Sequence, residues 1–374
     1  MIPMWKLKRE GTRLRELIAA WLGNLYEPAL KRRHDRWRIV QPVPKDRGIA
    51  LTPKVAIFLI YQPKGVARSI LATLRWLVAN GYAPFVIANT PLSEADRAEV
   101  AALSWRIFER PNFGYDFGGY RDGVLLLKEW GIAPERLLII NDSVWMPTRA
   151  GSTLIARLEA VQADVAGGIK HKDTTRRLGD LRRGHLESYL YLVNPKAGRS
   201  EAFHEFWRGY PLSSHRQNAI NRGERRFAYL MQDAGLTVSG LFSTQIFLDA
   251  LASQHDTFLR RTLAYASFVE DELVVENARL LQKDPSDPDW RNDVMRHITR
   301  AVDRRRFNAC FAYPADKLLG MDFIKKSTGS SGGDGASLHS RLRRQMLCAV
   351  QAGDLPPLLT EVQAEIEALE RRVA

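Results

Sequence analysis

The order of apolar and polar positions divides the chain into alternating elements. Val55 to Tyr61 is almost continuously apolar and reads as a buried parallel strand, because a strand covered on both faces shows no polar alternation. Residues 67–80 switch to helical spacing through Ile70, Leu71, Leu74, Leu77 and Val78, and Asn80-Gly81 ends the helix. Pro84 to Asn89 is the next strand, 93–103 a helix opened by Ser93, and Trp105 to Phe108 a third strand. A helix over 117–130 and a strand running from Arg136 to the polar edge Asn141-Asp142-Ser143 continue the pattern. This alternation predicts right-handed crossovers and a mainly parallel sheet flanked by helices. Residues 164–170 and 185–195 read as strands that make the sheet mixed, and 199–209, 215–234, 243–254 and 289–306 as helices. The stretch 327–337 reads as a flexible linker, and Leu358, Val362, Ile366 and Leu369 place a helix near the C-terminus.

With 374 residues, the chain is long enough for one large or two smaller α/β domains. Cys310 and Cys348 lie far apart and show neither paired-cysteine nor Cys/His ligand spacing, so neither a disulfide framework nor a zinc site is indicated, and a reducing, cytoplasmic setting fits. No apolar run approaches the ~20 residues that cross a bilayer. The net charge of +13 is unevenly placed: residues 1–47 hold 12 Lys and Arg against five Asp and Glu, a net of +7. Leu14, Leu17, Ile18, Trp21 and Leu25 fall at helical spacing inside this basic arm, a pattern suited to lying on an anionic membrane surface, here the inner face of the plasma membrane. An ordinary helix packing its apolar stripe on the main domain explains the same spacing, and the two readings can hold for different faces. Nucleic acid is the weakest reading of the charge, since no recognisable binding motif accompanies the arm.

The stretch NFGYDFGGY, 112–120, follows the third strand and precedes a helix, where open α/β sheets bind ligands outside the carboxyl ends of their strands. Gly114, Gly118 and Gly119 can take positive φ and let a polar ligand approach the backbone. The dinucleotide and P-loop spacings are absent, which argues against a Rossmann oxidoreductase or a P-loop NTPase. Asn141-Asp142-Ser143 reads either as a helix cap or as a one-carboxylate version of an Asp-x-Asp site, in which Asp142 holds Mg²⁺ or Mn²⁺ together with a substrate's phosphates.

Four blocks in order, NFGYDFGGYRDG, LLIINDSVWMP, HLESYLYLVNPKAGRSEAFHEFW and NACFAYPADKLLGMDFIKK, resemble the rhamnan synthesis protein F family over roughly 55–326. The resemblance implies a GT-A-like glycosyltransferase of bacterial cell-surface polysaccharide assembly. It would use a nucleotide-diphosphate sugar, with rhamnose or a related 6-deoxyhexose moved to a growing polysaccharide or lipid-linked acceptor, and inversion as the outcome. By position, it implies a donor-binding loop of Asn112, Gly114, Asp116, Gly118 and Gly119, a strand edge of Asn141, Asp142 and Ser143, and a final basic block with Lys325. Ser188 and Tyr189 match the middle block, which His185 and Glu187 adjoin. Glu224 falls where the family has a glutamate before a helix and is the expected base, although INRGERRF departs from the usual aromatic-glutamate pairing. Asp142 is the expected catalytic metal ligand.

The division expected from the sequence is a basic arm over 1–47, a GT-A-like domain over 48–326 with a donor half at 54–150 and an acceptor side at 151–326, a linker over 327–337 and a helical segment over 338–374. A different class of function, a non-catalytic module binding carbohydrate or a lipid carrier, is compatible with the single carboxylate at the strand edge. Oligomeric state is not legible. The arm yields the first expected outcome: intact protein sediments with anionic but not neutral liposomes, salt reverses this, and a chain lacking the arm stays in solution. Each engaged basic residue contributes about 1 kcal/mol, so a few suffice for a large shift. Equal partitioning of both chains would refute the membrane role.

Overall fold

The apolar runs of the first half become neighbours in one sheet. The computed structural model describes residues 26–44, 48–172, 184–213, 215, 218, 221–327 and 337–372. Strands β1 (Lys54–Ile60), β2 (Tyr82–Ala88), β3 (Arg106–Glu109) and β4 (Arg136–Asn141) pair in parallel in the order β3-β2-β1-β4. Beyond β4 the sheet turns antiparallel through β5 (Val165–Lys172), β6 (Gly184–Leu186) and β7 (Leu190–Val193), in the order β4-β7-β5-β6, and β8 (Val238–Phe242) pairs with β5. This is the α/β sheet flanked by helices, parallel in its first half, that was expected from the sequence. Burial explains the unbroken apolar runs: Val55 to Ile60 are at most 1% exposed.

Helices α2 (Arg68–Ala79), α3 (Glu94–Ala102) and α4 (Tyr115–Glu129) follow the first three strands. Ser93 caps α3 by accepting from the Asp96 amide, and Gly114, at φ 84°, opens α4. The single strand expected over 185–195 is two strands, because the chain bends at Glu187-Ser188-Tyr189 between β6 and β7. Within the helix expected over 215–234, a π-helical turn at Asn221–Arg225 precedes the regular helix Arg226–Asp233.

Two compact units cut across the expected domain boundaries: unit 1 is Met1–Asp142 with Leu158–Leu241, and unit 2 is Ser143–Arg157 with Phe242–Ala374. The chain thus leaves the sheet unit directly after Asp142 and returns at Leu158, which no change of composition marks. Unit 2 is mostly helical, with a short antiparallel ribbon between Val144–Trp145 and Ile324–Lys325. Its helices Asp256–Ala264 and Asp271–Gln282 were not expected from the sequence. The helix Leu338–Gln351 falls within the helical segment expected over 338–374, and Arg343, fully buried on its inner face, pairs with Glu370 at 2.7 Å. The expected C-terminal helix is Thr360–Arg371, with Val362 and Ile366 in the core of this unit. Most of the expected linker, 328–336, lies outside the described residues.

The arm is described only from residue 26, so Leu14, Leu17, Ile18, Trp21 and Leu25 lie outside the described residues. Its second half is a helix, α1, through 26–39. Glu27, His34 and Arg38 lie on one face and are buried, while Arg32, Arg33 and Arg36 are exposed. The buried face meets Asp122 of α4: His34 Nε2 is 2.7 Å from Asp122 Oδ2, and Arg110 Nε, at the end of β3, donates to the same oxygen at 2.7 Å. Alongside, Arg121 reaches Asp35 at 2.7 Å and Arg38 binds both oxygens of Glu129 at 2.7 Å. His34 also meets Phe113 edge-on, and the Trp37 ring lies tilted against Phe108.

Asp122 is fully buried, and burial alone would raise its pKa. The Arg110 guanidinium, the His34 hydrogen bond and Arg121 outweigh that and hold the carboxyl at about 2. Because the folded value lies below the unfolded one, the stability it confers is complete above the ordinary carboxylate range and is lost as pH falls towards 2, an effect on the order of 2 kcal/mol. Replacing Asp122 by Asn leaves Arg110 buried without its counter-ion. We expect Asp122→Asn to lower unfolding stability at neutral pH by about 3–5 kcal/mol in urea titrations. The same variant should weaken the acid-side loss seen in the parent protein; a parent and variant with parallel pH profiles would refute this account.

Candidate active site

Each of the four parallel strands ends in polar residues, and these side chains bind one another. After β1, the Tyr61 amide and Gln62 Nε2 donate to Asp142 Oδ2 at 2.8 and 2.6 Å. After β2, Asn89 Nδ2 donates to Asn112 Oδ1 at 3.0 Å. After β3, Arg110 Nη1 donates to Asn89 Oδ1 at 2.6 Å and Nη2 to the Phe113 carbonyl at 2.5 Å. At the end of β4, Asn141 Nδ2 donates to Asp116 Oδ2 at 2.9 Å. The carboxyl edge of the parallel half is thus a polar rim, where an open α/β sheet receives its ligand.

The loop 111–114 and the first turn of α4 form one wall of this rim. Asn112 and Tyr115 are exposed and Asp116 is half-buried in the first helical turn, where a carboxylate complements the helix dipole. Tyr115 takes φ 52°, unusual for a residue with a Cβ, directly after Gly114 at 84°. Gly118 and Gly119 depart from expectation. Both are buried inside α4, and their missing side chains answer to protein contacts: a Cβ on Gly118 would stand 2.2 Å from the Phe113 carbonyl oxygen, and one on Gly119 1.8 Å from Leu59 Cδ1. These two glycines let α4 settle on β1 and on its own entry loop; the protein itself fills the space expected to admit a ligand.

A second wall comes from the antiparallel half. The β5–β6 register sets His171 opposite His185, with ring centroids 5.5 Å apart. His171 Nε2 is 2.8 Å from Glu187 Oε1, and His185 Nε2 is 3.6 Å from Glu224 Oε1. Glu187 is 1% exposed, and Glu224 is half-buried on the π-helical turn. That turn approaches α4 closely: a Cβ on Gly223 would meet the Phe117 ring at 2.6 Å. Single π-turns recur at functional sites because they re-aim a side chain. Between the walls lies Tyr191, whose pKa is held well above the ordinary phenol value by burial first, then by the charges of Glu224, Glu187 and Asp116. Tyr120, whose hydroxyl donates to the Ser188 carbonyl at 2.9 Å, is raised by burial and then by Asp116. Both phenols remain neutral, hydrogen-bearing groups among the carboxylates.

Unit 1 therefore brings together Asn112, Gly114, Asp116, Asn141 and Asp142 along one rim, and sets Glu224 with His185. Tyr189 is buried and Ser188 contributes its backbone carbonyl. Ser143 and Lys325 belong to unit 2, where the Ser143 carbonyl accepts from the Lys326 amide at 2.9 Å and Lys325 pairs with Val144 across the ribbon. Gln62, Asn89, Arg110, Asp122 and Tyr191 escaped the sequence reading. For the first three a signal existed: each is among the first polar residues after an apolar strand.

Asp142, half-exposed at the rim, is the expected metal ligand. Among the described residues no group of three or more His, Cys, Asp and Glu side chains is arranged to hold a metal ion. A cage built from protein alone is therefore absent there. The donor set fits a hard cation held by one carboxylate, with its remaining oxygens from a ligand's phosphates.

The fold and this rim define a mixed α/β protein with a polar site at the carboxyl ends of its parallel strands. Residues 85–267 match the family described as rhamnan synthesis protein F, the family that the sequence blocks resemble. An uncharacterised protein of Sinorhizobium fredii, y4gN, is 30% identical over 260 residues, which cover 70% of this chain and 66% of that protein. Distant likenesses extend to two solved structures. The mannosyltransferase PcManGT from Pyrobaculum calidifontis, in complex with GDP-Man and Mn²⁺, has 11% identity, covers 96% of this chain and 91% of its own, and gives a TM-score of 0.33. Core-mannan synthase A from Aspergillus fumigatus, in a Mn/GDP form, has 10% identity, covers 53% and 74%, and gives a TM-score of 0.32. Residue roles here rest on this chain's own geometry.

The glycine contacts give a test. At position 118 the obstacle is a backbone carbonyl, whereas at 119 it is the end of a leucine side chain that can turn away. Gly118→Ala should therefore destabilise more than Gly119→Ala, by about 1–3 kcal/mol for a clash of this kind, in parallel urea unfolding of both variants. Equal stability of the two would show that α4 shifts freely on β1.

Proposed function

We propose that this protein is a glycosyltransferase that moves a sugar from a nucleotide-diphosphate donor to a cell-surface polysaccharide or lipid-linked acceptor. Rhamnose or a related 6-deoxyhexose is the sugar favoured by the resemblance, with inversion as the outcome. One observation carries the reading: Asn112, Asp116, Asn141 and Asp142 line a single polar rim at the carboxyl ends of parallel strands, within the stretch that matches the rhamnan synthesis family. Asp116, fixed by the Asn141 amide, accepts hydrogen bonds from donor hydroxyls. Asn112, exposed and oriented by Asn89, offers the donor a polar contact. Gly114 gives the loop its left-handed turn.

A bound Mg²⁺ or Mn²⁺ would be held by Asp142 together with the donor's phosphates, and would supply charge neutralisation for the departing diphosphate. Glu224 takes the proton of the acceptor hydroxyl, a role worth typically ~10²- to 10⁴-fold in rate. His185, 3.6 Å away, keeps the carboxylate company from the neighbouring strand. Neutral Tyr191 supplies a fixed dipole beside it.

Among the described residues no helix is long and apolar enough to cross a membrane. The basic outer face of α1 suits a peripheral position on the cytoplasmic leaflet, close to lipid-linked acceptors. The single carboxylate at the rim also permits a second reading, a non-catalytic module that binds carbohydrate or a lipid carrier.

A panel of nucleotide sugars, screened by thermal shift with and without Mn²⁺, separates the two. At a ligand concentration of about 100 Kd the donor should stabilise the protein by about 2.7 kcal/mol. With that donor, Asp142→Asn should abolish transfer and leave the unfolding midpoint unchanged, because the amide oxygen can still accept from Tyr61 and Gln62. Unaltered turnover would remove Asp142 from the site, and polysaccharide binding without any response to nucleotide sugars would favour the binding module.

A further inference from the structure

Helix α1 touches both walls of the site through buried charge. At its beginning Glu27, 3% exposed, accepts from Ser213 Oγ and lies 3.3 Å from Arg222 Nη1. Arg222 stands two residues before Glu224 on the same π-helical turn. About two turns further along the same face, His34 holds Asp122 at 2.7 Å. From Asp122 an unbroken series of hydrogen bonds runs through Arg110 and Asn89 to Asn112, and a branch from Arg110 fixes the Phe113 carbonyl.

We propose that Glu27 and His34 are positioning residues: Glu27 sets the π-helical turn that carries Glu224, and His34 sets the loop that carries Asn112, so that α1 braces both walls of the site. The catalytic part of this role rests on the sugar-transfer reading. Three features argue for the brace over simple packing. Beside Trp37, the inner face of α1 buries three polar side chains, Glu27, His34 and Arg38, although burying charge is costly unless every group is matched. Its start meets the π-turn through Glu27, and His34, near its middle, reaches the ring of Phe113 beside the positive-φ entry to α4; such non-standard backbone persists only where its surroundings hold it. Its outward face, with Arg32, Arg33, Arg36, Leu30 and Ile39 exposed, leaves the inner face free for this work.

Hydrogen exchange on the full chain, read by mass spectrometry, tests the brace without any substrate. Glu27→Ala should speed exchange about tenfold in peptides covering 221–226 while leaving 110–118 unchanged, and His34→Ala should do the reverse, since losing a charged hydrogen bond raises local opening by at least that factor. The Gln variants at both positions keep a polar partner and should return exchange towards that of the parent. Loosening of both segments alike, or of α1 alone, overturns the proposal. Should His34→Ala fail to fold, the Glu27 variants decide it: loosening confined to 221–226 sustains the brace, and no change there refutes it. Once a donor is in hand, Glu27→Ala should lower kcat at constant donor KM, and His34→Ala should raise donor KM. Absence of turnover with every sugar, alongside the expected exchange pattern, would sink the transferase reading and leave the brace standing.

Discussion

The ion pair between Asp122 and Arg110, both buried, is the constraint on which the site depends. Two charges removed from water are tolerated only when each finds a full set of partners, and here the partners come from every part of unit 1 that matters. Asp122 draws in His34 of the N-terminal helix and its neighbour Arg121. Arg110 draws in Asn89 from the end of β2 and the Phe113 carbonyl from the loop. The pair therefore does more than stabilise. It fixes the ends of two strands, the start of α4 and the seat of α1 in one arrangement.

Close backbone approach serves the same end by different means. Gly118 and Gly119 bring α4 against its entry loop and against Leu59, and Gly223 brings the π-turn against Phe117. With α4 so near the sheet, Asp116 in its first turn reaches Asn141 at the end of β4, and Tyr120 one turn later reaches the carbonyl of Ser188. The outcome is a site with carboxylates on both sides and neutral, buried tyrosines between them. Such an arrangement suits a polyhydroxylated ligand, which offers donors to the carboxylates.

Reading by periodicity works where burial is two-sided and continuous, which is why β1, β2 and β4 were found within about a residue or two of their ends. It fails for α1, because the buried face of that helix is made of Glu27, His34 and Arg38, and KRRHDRWR looks like a solvated run until its counter-charges 80 to 100 residues away are known. It fails also for the break between β6 and β7.

What the sequence determined by itself is the parallel half of the sheet, the polar edge at Asn141-Asp142 and the family resemblance, since these rest on local runs of residue type. Only the tertiary structure decided that Gly118 and Gly119 serve packing, that the chain passes to a second unit directly after Asp142, and that residues 26–39 bury Glu27, His34 and Arg38 against distant counter-charges. The physical reason is common to all three. Steric approach and the pairing of buried charges act between residues far apart in the chain, so no window of neighbouring residues carries their signal.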